Sequence, residues 1–385
     1  MPNPQMFNRA RLLTLAICAL CLLVADLPAN AAETRTVSFD SKAYHVDRIF
    51  RSMQGPIGRR RAYVGDWRNS ELMWITAIRS EVFHAKDGSK ASDDFLCHAN
   101  LGFGDIERHR ALFQPNLKEA RYQGRLFTLS QGQMDLKFPS GFGIPIISDE
   151  PFLLDTQALN LNRTEGEYDV VIRTSIDYVV DAELSQPMKP LFQKAAQGMV
   201  LVEGKDGYYG LEEGNAEEHG EGCSVGSAAG GENVADPFGR VFSAHWQVEP
   251  GRQVNSTPVT EFLEISYDTT VHYVSVHLHL HLHLHPFAQS LSLRDLTTGE
   301  TVLHAEATSI DTGIGLKHVE TITSEEGVRI FADHKYELVS VYENTTDQMQ
   351  DSMAVMFLYL HDKEFVKPVK RTPSPKPKPP SGASQ

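Results

Sequence analysis

Residues 271–286 read VHYVSVHLHLHLHLHP. From Tyr273 onward every second residue is aliphatic, and the residues between are polar or aromatic until Pro286 stops the pattern. Strict alternation is the signature of a β-strand, in which successive side chains point to opposite faces. Five histidines (His277, His279, His281, His283 and His285) therefore share one face of the predicted strand, and the four leucines between them share the other. The leucine face is expected to pack into a sandwich core. The histidine face has two readings. It is the solvated side of a half-buried strand, lengthened by harmless dipeptide duplication because a shift of two residues preserves both faces. Or it is a metal grip, since residues i and i+2 lie roughly 6.6–7 Å apart on one side of a strand and two imidazoles can converge on a Cu, Zn, Ni or Fe ion.

The rest of the chain reads in the same period. YDVVIRTSIDYVVDAEL, GMVLVEG, TEFLEISY, SLSLRDL, YELVSVYEN and MAVMFLYL are β-branched or aromatic runs, separated by the turn signals TEGE, EGKDG, EPG, TTGE and SEEG. Helical periodicity is scarce, with LKEARYQ the best short candidate. The fold class expected is all-β: two jelly-roll-like β-sandwich domains in tandem. The expected boundaries are 37–195 and 196–366, the second domain carrying an acidic, Gly-rich mobile loop at 210–238. That loop holds His219 and Cys223.

Both ends of the chain are expected to lie outside the fold. Arg9 and Arg11 precede the apolar run LLTLAICALCLLVA, followed by an Ala29-Asn30-Ala31 site. This is the layout of a secretory signal peptide over 1–31, and the run is shorter than a membrane span. The expected location is secreted or periplasmic, with no transmembrane segment. Residues 367–385, KPVKRTPSPKPKPPSGASQ, are expected to form a disordered Pro/Lys-rich tail. The net charge of −14 argues against a nucleic-acid partner, because phosphate binding needs a positive face. Beyond the leader only Cys97 and Cys223 remain, which permits a single Cys97–Cys223 disulfide. Asn162, Asn255 and Asn344 open N-x-S/T sequons.

Three stretches in order resemble the C-terminal domain of a known family: WQVEPGRQVNS; HLHPFAQSLSLRD, a His-x-His strand running to an Arg; and YELVSVYENTTDQMQDSMAVMFLYL, a Tyr/Val strand, a turn and an acidic-polar-Met motif. The family is the copper type II, ascorbate-dependent monooxygenases that hydroxylate peptidylglycine and dopamine. The resemblance implies one copper site from two histidines and a methionine, where dioxygen binds. Carried over residue by residue, the distance to Arg294 matches the histidines to His283 and His285, and the methionine to Met353. Met349 falls in the turn, and Met356 on the opposite face from Met353. Further upstream, FLCHANLGF stands where the family has a His-His pair, so a second metal site would retain Cys97 and His98. Its third ligand is expected from around Ala158–Asn160, where no histidine occurs. His281 and Phe357 occupy positions that are Arg and Tyr in peptide-amidating members, which argues against recognition of a peptide carboxylate.

These readings converge on a secreted or periplasmic copper-binding protein, with copper as cofactor and a single site from His283, His285 and Met353. Dioxygen and a small-molecule reductant are the partners the resemblance implies. The alternatives are a working copper monooxygenase with an altered second site, and a non-enzymatic sandwich whose His-rich strand buffers metal ions. No G-x-S-x-G, P-loop or H-E-x-x-H pattern occurs. His98, His109 and the Asp93-Asp94 pair are the residues from which a hydrolase would have to be assembled.

Overall fold

A computed structural model describes residues 32–50, 54–114, 122–201, 233–235, 241–244, 246–281, 287–347 and 349–368. The chain is all-β, with two β-sandwich lobes in tandem. One sheet of eleven strands runs through both. Its main path goes from Arg35–Asp40 through Tyr168–Val180, Leu72–His84 and Phe142–Ile147 to Lys189–Gln197. It continues through Gln350–His361 and Thr269–His281 to Ile322–Ile330. A four-stranded sheet (Ile57–Ala62, Phe152–Ala158, Leu96–Phe103, Arg125–Ser130) covers it in the first lobe, and a five-stranded sheet built around Tyr336–Asn344 covers it in the second. No helix among the described residues is long and apolar enough to cross a membrane.

The strand Gln350–His361, here the methionine strand, explains why MAVMFLYL has no polar alternation. Val355, Phe357 and Tyr359 lie in the core of the first lobe, while Ala354, Met356, Leu358 and Leu360 lie in the core of the second. A strand covered on both sides reads as a continuous apolar run. The neighbouring histidine strand, Thr269–His281, does the same with Tyr273 on one side and Val274 and Val276 on the other. The two lobes thus share a sheet. The expected boundary at 195/196 falls inside the strand Lys189–Gln197, which pairs with the methionine strand on one edge and with Phe142–Gly143 on the other.

Several local expectations are corrected. TEFLEISY opens on a short helix, Thr260–Leu263, and is not a strand. Thr260 Oγ1 accepts the Tyr336 amide at 2.8 Å, and Glu264 in the left-handed region ends the turn. GMVLVEG is a strand at Val200–Leu201, and its last three residues lie outside the described residues. Within the acidic loop, Asn233–Ala235 is a strand paired with Val241–Ser243; His219 and Cys223 lie outside the described residues. LKEARYQ falls mostly outside them, while IERHRALF (Ile106–Phe113) is helical, with Asp105 accepting the Arg108 amide as its N-cap. Lys367, expected to begin a free tail, pairs with Asp181. Residues 1–31 and 369–385 lie outside the described residues, so the leader and most of the tail do too.

Two sequons are committed to structure. Asn344 is buried and its amide donates to the Val248 carbonyl at 3.0 Å. Asn162 donates to the Ile314 carbonyl at 2.8 Å and accepts the Ile314 amide at 2.6 Å, tying a first-lobe loop to a second-lobe loop. Asn162→Ala is expected to cost about 1–3 kcal/mol, the range for orphaning partly buried backbone groups. Urea unfolding of the variant checks this; an unchanged midpoint would show that the clamp contributes nothing.

Candidate metal site on the histidine strand

The register of the two central strands places the sequence candidates. His277 stands opposite Val355, His279 opposite Met353 and His281 opposite Asp351. Directly opposed residues share a face of the sheet, so Met353 occupies the same rung as His279 and the neighbouring rung to His277. The Val355–Phe357–Tyr359 side of this sheet faces the first lobe. His277 is 2 % exposed and Met353 1 % exposed. At His277, therefore, the histidine face is not the solvated outer side of a half-buried strand but lies within the molecule. His283 and His285 lie outside the described residues.

The surroundings fix this part of the strand. Pairing with Ile322–Ile330 stops at Val274. Beyond it, Gln133 from a first-lobe turn takes over: its Oε1 accepts the Ser275 hydroxyl at 3.0 Å and the Val276 amide at 3.3 Å. Tyr342 donates its hydroxyl to the Met353 carbonyl at 3.1 Å, and burial pushes the Tyr342 phenol up, which keeps it a donor. Tyr273, two rungs before His277 on the same face, is pushed up to about 12, chiefly by burial. Met356 lies in the second-lobe core, on the other face from Met353, and Met349 is 57 % exposed just before the strand. Arg294, the landmark of the resemblance, pairs with Glu337 at 2.8 Å in the five-stranded sheet.

The second set of candidates is brought together only in part. Cys97 is buried at a bulge between Leu96 and His98. His98 is buried opposite Ser130 on one side and Gln157 on the other. Of the stretch Ala158–Asn160, Asn160 spends its side chain on the backbone of Arg48 and Arg163. Among the described residues no three His, Cys, Asp or Glu side chains gather as a metal group. Cys223, the expected disulfide partner of Cys97, is outside them.

The hydrolase residues do not assemble. His109 is fully buried, and its Nδ1 donates to Glu150 Oε1 at 2.8 Å, while Glu150 Oε2 accepts the Ile147 amide at 2.6 Å. Asp93 and Asp94 instead open a short 3-10 turn. Sequence reasoning missed both Glu150 and Gln133, whose partners lie far away in the chain. His272, at odd spacing from the histidine run, sits at a β-bulge between Val271 and Tyr273, the one circumstance that breaks the period-2 assignment of faces.

No family model matches this chain, and no curated protein matches it. Solved structures with low-level similarity include one described as the STIV MCP, at 7% identity and a TM-score of 0.29 over 86% of this chain and 97% of that one. Another is PBCV-1 VP54 fitted into a reconstruction of the virophage Sputnik, at 9% identity and 0.32 over 86% and 96%. A third is PNGF-II, at 9% identity and 0.32 over 85% and 65%. None of these similarities bears on what this chain binds.

Proposed function

We propose that this protein binds copper on the histidine strand, with Met353 as a thioether ligand, and acts in copper handling or one-copper redox chemistry outside the cytoplasm. The observation that carries the reading is the rung that sets Met353 opposite His279, with His277 buried one rung away. A thioether beside imidazoles is a soft donor set suited to Cu(I) more than to Zn or Ni. Bound copper would supply one-electron redox capacity. The chain's own contribution is to bury His277 and Met353, and to hold the Met353 backbone through Tyr342. The register favours His277 and His279 as imidazole partners, whereas the resemblance to the copper monooxygenases favours His283 and His285. Coupled hydroxylation needs a second copper, and Cys97 and His98 gather no third donor among the described residues. Copper handling is for that reason preferred over a working monooxygenase.

Titration of the full chain with Cu(I) and Zn(II) against a competing chelator tests this. One tight Cu(I) is expected, with Met353→Ala weakening it at least about 100-fold, the upper end of what loss of even an outer-shell partner costs. Met349→Ala is the control for the exposed thioether. The double variants His277→Ala/His279→Ala and His283→Ala/His285→Ala show which pair holds the ion. Several weak ions, with no preference for copper over zinc and no response to Met353→Ala, would overturn the proposal in favour of a metal-buffering strand.

A further inference from the structure

The two halves of the large sheet meet at one narrow joint. Phe142–Ile147 and Lys189–Gln197 pair in parallel over two rungs, Lys189 with Phe142 and Pro190 with Gly143. Proline brings no N–H to its rung. The Pro190 carbonyl instead accepts the Asp362 amide at 2.8 Å, and the Lys189 amide donates to the Gly141 carbonyl at 2.8 Å. With so short a ladder, the packing around Phe142 bears on whether the joint stays closed.

What packs there is a ring of basic groups. His272 stacks on the Phe142 ring with centroids 4.1 Å apart, His361 meets it edge-on at 6.3 Å, and Lys189 Nζ lies 4.8 Å from its centre. The two imidazoles are 5.9 Å apart. His272 Nδ1 donates to the Ser324 carbonyl at 2.9 Å, and its Nε2 is paired with the Thr270 hydroxyl at 2.7 Å, which in the neutral ring is the donor. The covering strand comes close enough to seal it: a Cβ on Gly327, which has φ +82°, would lie 2.7 Å from the His272 ring. Other charges offer no relief. Lys363 follows His361 and donates to the Asp268 carbonyl, and Asp362 is spent on Tyr122 and Tyr267. Glu325 and Glu326, on the covering strand, are exposed.

We propose that the His272–His361 pair is an acid-sensitive latch on this joint: neutral imidazoles close it around Phe142, and charging them loosens the two parallel rungs. Burial holds both imidazoles below the ordinary histidine range, His361 at about 4, with His272, Lys363 and Lys189 adding repulsion. The native state then binds fewer protons than the unfolded state between about pH 4 and 6.5, so stability at the joint is present above that window and lost as pH falls through it.

Hydrogen exchange on the full chain at pH 7 and pH 4.5, corrected for intrinsic rates, tests the latch. Protection of amides in 142–147 and 189–192 is expected to fall at least about tenfold, the effect of one pH unit of proton linkage, and His361→Gln should abolish most of that fall. An equal fall in His361→Gln, or none in the wild type, would overturn it. If the variant does not fold, the NMR titration of His361 in the wild type decides, and a midpoint at or above that of ordinary histidine would rule the latch out. Both readouts are local, so titration of the histidine run does not confound them.

Discussion

Replacing Tyr359 by alanine is expected to destabilise the protein by about 3–5 kcal/mol, the range for deleting a fully buried aromatic ring. Tyr359 has no exposed surface and packs with ring centroids 5.0 Å from Phe138, 5.8 Å from Phe127 and 5.9 Å from Tyr273. Those rings come from three separate stretches of the chain, so collapse around the cavity is restricted. Its hydroxyl donates to the Leu126 carbonyl at 3.1 Å. Tyr359→Phe keeps the ring and leaves that carbonyl without its donor, so it should cost about 1–3 kcal/mol. Urea unfolding followed by fluorescence and by circular dichroism measures both. The two probes should coincide in one transition, because the methionine strand serves both cores. Separate transitions for the two lobes would contradict the shared sheet.

Glu150→Ala is the second large effect expected, about 3–5 kcal/mol, as for removing one partner of a buried pair. Glu150 and His109 are both buried, and Phe103, Phe113 and Tyr122 surround the imidazole, with centroids 3.9, 4.7 and 4.6 Å away. Loss of Glu150 leaves the buried His109 Nδ1 and the Ile147 amide without their acceptor. Glu150→Gln keeps one acceptor oxygen, enough for the Ile147 amide, and sets its NH2 toward His109 Nδ1, which can accept once the imidazole proton moves to Nε2; it should recover part of the loss. Thermal unfolding of the two variants checks the order; equal losses would mean that hydrogen bonding at Glu150 is not what matters.

Much of the fold was legible in the sequence because alternation is a local property. Tyr168–Val180, Tyr336–Asn344 and the histidine strand all appear where period 2 placed them. The unbroken run MAVMFLYL identified a strand. Its lack of alternation also held the fact that both faces are covered, but not which cores cover them. TEFLEISY was misread because a β-rich composition cannot register the long-range bonds between Thr260 and Tyr336 that hold a helical turn there. At the candidate site, the separation of Met353 from Met356 by face was readable from parity alone. Register was not, since it depends on where two distant strands meet. The burial of His277 was hidden for the same reason: the turn that covers its strand comes from residue 133, more than a hundred residues away.

The strand that completes both cores is synthesised long after Lys189–Gln197, the strand beside it in the sheet. Until residues 355–359 leave the ribosome, the first lobe lacks Val355, Phe357 and Tyr359, and Tyr273 has only recently emerged. The lobe made first therefore cannot mature first. Its nascent form presents an unfilled apolar face until that strand emerges, the condition under which chains depend on chaperones or stay unfolded. A stop codon placed before residue 350 would remove that strand and, with it, part of the interior of a domain made far earlier in the chain.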